Sequence, residues 1–127
     1  MFMSLTIAST KGRDIDQEDR MVIERLVDRS NTAIIFLGML SGHNGSQAAE
    51  YVEKELWPTI KKMVNFETAN DQDVLDAMKT AFWKIHKDMR EEVANWPNTI
   101  WGAPSMSGTT CSCTLIRNKR LYIAHSI

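Results

Sequence analysis

Phe36–Val52 reads FLGMLSGHNGSQAAEYV. An apolar run enters, breaks at Ser41-Gly42-His43-Asn44-Gly45-Ser46, and leaves with helical spacing. Upstream, TAIIFLGML from Thr32 to Leu40 is apolar on both faces and β-branched at its start. That is the pattern of a strand buried on both sides. Downstream, Ala48, Ala49, Val52 and Leu56 fall on one face of a helix, and Ser46 offers a side-chain oxygen to a free amide of the first turn. Pro58 is expected to end or kink this helix, or to open its next segment. Glycines and a histidine at the corner would let backbone approach a ligand, but the corner carries no carboxylate. Taken alone, it reads as a strand-to-helix turn capped by Ser46.

Working outward, the second helix is the clearest element. Asn70 or Asp71 caps it, and Val74, Met78, Ala81, Phe82, Ile85, Met89 and Val93 recur at three- and four-residue steps. A stripe of this kind is core packing. Trp96–Ser107, WPNTIWGAPSMS, reads as a loop, with Trp96 and Trp101 pinning it to the body or marking a contact surface. Gly108–Arg117 alternates as a strand, Asn118-Lys119 is a tight turn, and Arg120–Ala124 returns as the second arm of a hairpin. Near the N-terminus, Leu5–Ser9 is predicted as a short strand, Lys11-Gly12 as a turn and Met21–Leu26 as a strand. Strands, then two helices, then strands make an α+β fold with antiparallel sheets.

The chain has 127 residues, 43% hydrophobic and 24% charged, with a formal net charge of -1. This is the composition of one globular domain, or part of one. Scattered basic residues give no reason to expect a nucleic-acid groove or a polybasic membrane surface. Ala33–Leu40 is too short to cross a bilayer, and the first residues are not expected to act as a signal peptide. Cys111 and Cys113 are too close along a strand for an unstrained disulfide and lack zinc spacing. They read as two buried free thiols, consistent with a reducing, intracellular location in cytoplasm or nucleus. His86 reads as helix surface and His125 lies near the chain end. No two histidines have the i, i+4 spacing of a zinc helix.

Three stretches in order carry more: GRDIDQEDR (Gly12–Arg20), LSGHNGSQAAEYV (Leu40–Val52) and SGTTCSCTLIRNKRLYIAH (Ser107–His125). Together they resemble the metal-dependent protein phosphatases, the protein phosphatase 2C family. That family shows an Arg followed by Met-Glu-Asp, then Asp-Gly-His-Gly-Gly leading into a helix, then Ser-Gly-Thr-Thr-Ala opening a hairpin. The resemblance implies two packed antiparallel sheets flanked by helix pairs, and hydrolysis of phosphoserine and phosphothreonine on proteins with two Mg²⁺ or Mn²⁺ ions. Such hard cations want oxygen ligands, and two close dications need a negative bridge. By this match Glu18 is the metal-binding glutamate and Asp19 the acid beside it, behind the ligands. Gly42 offers a backbone carbonyl to a metal, His43 is the general acid, and Arg13 is the phosphate-binding arginine. Ser107, Gly108, Thr109 and Thr110 match a turn and strand start near the site.

The departures set the functional expectation. Ser41 stands where the family places its bridging aspartate, and a neutral hydroxyl cannot replace a carboxylate between two dications. Asn44 replaces a glycine. Arg13 lies five residues before Glu18 rather than four. Residues 1–127 are expected to be the N-terminal portion of the family domain, about half its length, with the remaining metal-binding aspartates in the other half. The expected function is that of a divergent, truncated relative, weak or inactive as this chain, with metal binding impaired. The alternatives are half of an active phosphatase completed by another segment, and a non-catalytic interaction module. The expected partners are phosphoprotein substrates or a protein partner, not nucleic acid or membrane, with self-association through an uncovered sheet.

Overall fold

The computed structural model describes residues 4–10, 12 and 18–126. Four strands, β1 (Arg20–Val27), β2 (Ala33–His43), β3 (Gly108–Arg117) and β4 (Arg120–Ser126), form one antiparallel sheet in chain order. Between β2 and β3 the chain makes α1 (Gln47–Met63) and α2 (Asp71–Glu92), then a short 3₁₀ turn, Val93–Asn95. The α+β expectation holds. Among the described residues there is a single sheet, with both helices against one face of it.

Side-chain alternation decides which face that is. Ile34, Phe36 and Leu40 of β2 and Cys113 and Leu115 of β3 are buried under the helices. Phe36 stacks on Trp57 of α1 at 4.9 Å between ring centroids, and Trp57 stacks on Phe66. From α2, Val74, Met78, Ala81 and Ile85 close the layer. Each large apolar side chain removed from water here contributes roughly 1.5–3 kcal/mol. Cys111 and Cys113 are free and buried, as their spacing implied. Contact with the Cys111 sulfur and burial push the Cys113 thiol up, so it packs as an apolar group.

The other face of the sheet is open. Ile23 and Val27 of β1, Met39 of β2, and Leu121 and Ile123 of β4 stand on it, each between 43% and 65% exposed. β2 was expected to be buried on both faces; Ile34, Phe36, Gly38 and Leu40 are buried, whereas Ile35 and Leu37 on the other face are half-buried and Met39 is exposed.

Two local expectations are corrected and a third is narrowed. Residues 4–10 carry no strand. Strand conformation needs a ladder partner, and among the described residues the sheet runs β1 to β4 without them. Of the outcomes expected at Pro58, an end to the helix is excluded, because α1 runs on to Met63. Pro58 removes one backbone donor, but Trp57 and Ile60 on either side are buried and hold the helix together. Ser46 occupies the position before α1 but makes no side-chain cap; its hydroxyl donates to Glu50 instead, at 3.0 Å. By contrast α2 is capped as expected. Asn70 and Asp73 exchange hydrogen bonds in a capping box. The hairpin turn at Asn118-Lys119 has φ of 51° and 63°, the pair of positive angles that matches strand twist.

Candidate functional site

The corner quoted at the outset lies where β2 ends and α1 begins. β2 continues through Ser41, Gly42 and His43, which pair with Thr110, Thr109 and Gly108 of β3. The first and third sequence stretches therefore meet the second at one end of the sheet. Gly42 is the point of closest approach. A Cβ there would collide with the backbone oxygen of Glu18 and press on Ala49, so only glycine lets the chain entering β1 lie against the corner. The Glu18 carboxylate then reaches over the turn, and its Oε2 accepts the Gly45 N–H at 2.8 Å.

Ser107 ties the third stretch in. Its Oγ donates to the Gly45 carbonyl at 3.1 Å and accepts the Ala48 N–H at 3.1 Å. Ala48 is the second residue of α1, so the helix is capped from a residue 59 positions away rather than by Ser46. Gly108 is needed for a different reason. A Cβ at that position would strike the His43 ring, which lies across the start of β3. Asn44 takes φ of 56°, the conformation for which its family counterpart is glycine; asparagine tolerates it better than most residues.

The structure thus brings Glu18, Gly42, His43 and Ser107 together through one hydrogen-bonded turn. Ser41 is exposed and its neighbours Leu40 and Gly42 are more buried. Alternation puts it on the open face of the sheet, away from the helices. Asp19 is exposed beside Glu18. Arg13 lies outside the described residues. Next to this group, Arg20 of β1 turns toward the helices and pairs with Glu50 at 2.8 Å. His125 bonds Ser112, and His86 meets Trp83 edge-on while lining one cavity with His43. Trp96 is half-buried whereas Trp101 is 88% exposed, so only the first of the two can pin the loop.

The donors at the corner can be weighed against the two cations that the resemblance implies. Glu18 supplies one carboxylate, already holding the Gly45 amide. Gly42 can supply a carbonyl, Ser41 a neutral hydroxyl, and Asp19 a neighbouring acid. Among the described residues no three acidic, histidine or cysteine side chains converge as a metal site would require. Among the described residues, the strand position that a bridging carboxylate would need is held by the neutral hydroxyl of Ser41. At the far end of the sheet lies a cluster that sequence reading missed. Buried Arg117 donates to the carbonyls of Phe66 and Ala69 and to the Tyr122 hydroxyl. Tyr122 and Arg120 in turn hold Asp71, and the Tyr122 hydroxyl bond, with the charge of Arg120 behind it, keeps that carboxyl below its ordinary range. This cluster locks the α1–α2 connection to the hairpin and leaves the corner to the opposite end.

Comparison with known proteins follows the same lines. The sequence profile of the family described as Protein phosphatase 2C matches residues 3–126. Probable protein phosphatase 2C 55 of Oryza sativa subsp. japonica is 27% identical over 123 residues, covering 97% of this chain and 30% of that protein. Protein phosphatase 1L of Bos taurus is 29% identical over 127 residues, covering 96% of this chain and 33% of its own length. The chain therefore spans about a third of the curated relatives it matches. A solved structure titled "Structure of a C.elegans sex determining protein" superposes with a TM-score of 0.56 over 84% of this chain and 25% of that one, at 21% identity, which speaks to the fold. A family match running from the chain into β1, through the corner and on to the end of β4 leaves one assignment: this chain belongs to the protein phosphatase 2C family.

Proposed function

We propose that the chain carries the N-terminal framework of a metal-dependent protein serine/threonine phosphatase and is itself weak or inactive as a hydrolase. The observation that carries this reading is Ser41. It occupies the strand position from which the family's bridging carboxylate would project, at the corner where Glu18 meets Gly42. In the family, two Mg²⁺ or Mn²⁺ ions supply the activated water for attack on phosphoserine or phosphothreonine. In this chain, Glu18 holds the turn through Gly45, His43 lies across Gly108 and is assigned the role of general acid, and Arg13 is assigned to phosphate. Those roles remain with the same residues, but the charge that would hold two cations together is lacking. The test is turnover of a phosphothreonine peptide by the 127-residue chain with Mn²⁺ present. No turnover above that of the Glu18→Ala variant is expected. Turnover that Glu18→Ala abolishes would refute the inactive reading.

The open sheet face supports a second reading, in which another segment completes the domain. Ile23, Met39, Leu121 and Ile123 form an apolar layer of the kind that sheets bury against a second layer. The completing segment would also bring further acids to the corner. Under this reading the same assay, repeated with a chain carrying the remainder of a family domain, gives Mn²⁺-dependent turnover. Failure there, with proper folding by circular dichroism, counts against it.

A further inference from the structure

A cavity of about 430 Å³ opens on the helix side of the sheet, between the C-terminal half of α2, α1 and the start of β3. It lies on the face away from Ser41 but adjoins the corner, since His43, Ser107 and Gly108 also line it. Its floor is apolar: Leu56 of α1, with Phe82, Ile85 and Met89 of α2. Trp96, the half-buried tryptophan of the loop after α2, also lines it. Volume and lining both fall in the range of small-molecule sites, in which an apolar body is held by shape and a few polar groups fix its orientation.

The ionisable groups around it are one-sided. Arg90, His86 and His43 line the cavity, and no aspartate or glutamate does. Among the described residues Arg90 makes no ion pair. That leaves a guanidinium with a full set of donors at the edge of an apolar hollow, and two imidazoles able to donate an N–H. A guanidinium in this setting selects a carboxylate or phosphate-type head, which it can bind through two parallel N–H bonds. The ring of Phe82, the indole of Trp96 and the thioether of Met89 select a flat aromatic body over a flexible chain, because ring stacking and sulfur–ring contacts add to simple burial.

We propose that this cavity is a binding site for a small aromatic anion, its ring seated on Phe82, Met89 and Trp96 and its charged head paired with Arg90. The probe is 2-naphthoate, titrated into the full chain carrying ¹³C-methyl methionine and followed by NMR. The Met89 methyl resonance is expected to shift saturably while that of Met39, on the open sheet face, stays still. Arg90→Gln, a change on an exposed helix position, is expected to weaken naphthoate binding about tenfold, the worth of a charged hydrogen-bonded pair. The neutral analogue 2-naphthalenemethanol is expected to bind more weakly and to ignore that substitution. Three results each overturn the proposal: shifts at Met39 rather than Met89, equal affinity for alcohol and carboxylate, or naphthoate affinity unchanged by Arg90→Gln.

Discussion

Ser107 and Gly108 show how much one residue can hold at this corner. The Ser107 hydroxyl is the cap of α1 and the strut of the Gly45 carbonyl at once. Ser107→Ala is expected to lower unfolding stability by about 1–2 kcal/mol, as the loss of a helix cap does, whereas Ser46→Ala, at a position with no cap bond, is expected to change it little. Urea unfolding of the two variants side by side checks this. Gly108→Ala forces the His43 ring off the start of β3, so the His43 ring resonances are expected to move while the sheet amides stay. Reading the sequence suggested Ser46 because capping is a local habit of serine. The actual donor and acceptor are 59 residues apart, and only the folded sheet puts them in contact. Arg117 was missed for a related reason. Its place in the alternation Cys111, Cys113, Leu115, Arg117 marks it as inward-facing, but an arginine read by type alone is assigned to the surface.

The helices and the hairpin divide cleanly into what pattern reveals and what packing overrides. α2 was legible from end to end, because a stripe at 3.6-residue spacing and an Asn70–Asp73 capping box are both local signals. The β3–β4 hairpin was legible because an Asn-Lys turn between alternating strands leaves few other conformations. Pro58 does not end α1, since burial of Trp57 and Ile60 outweighs one lost backbone bond. Pro58→Ala restores that donor in an exposed position and is expected to raise stability by about 1–3 kcal/mol, read as a higher melting temperature. The α2–hairpin clasp has a pH signature. Asp71 is held below its ordinary value of 3.8 first by the Tyr122 hydroxyl bond and then by the charge of Arg120. A carboxyl depressed in the folded state adds stability that is present above its unfolded value. That contribution is lost as pH falls from 3.8 toward the lower folded value. Asp71→Asn is expected to remove this part of the acid sensitivity, shown by melting curves measured through that pH range.

For the molecule as a whole, the sheet has one face under helices and one face apolar and open. A face of that kind invites association. Leu121→Lys with Ile123→Lys on β4 is expected to reduce self-association in sedimentation velocity without loss of helix content, because neither side chain belongs to the seam under α1 and α2. Unchanged association would place the contact elsewhere. The three motif stretches made the family and the meeting of Glu18 with Gly42 legible before any coordinates. What the sequence could not convey is which sheet face is covered, since both faces of β2 are written in the same apolar residues. The chemistry expected at the corner turns on Ser41, which stands on that same open face. The most direct measurement is calorimetric titration of Mn²⁺ into the natural chain and into Ser41→Asp. Weak or undetectable binding by the natural chain, and binding at least about tenfold tighter once a carboxylate bridges the site, is the expected result. Tight binding by the natural chain that is lost in Glu18→Ala, or no gain from Ser41→Asp, would contradict it.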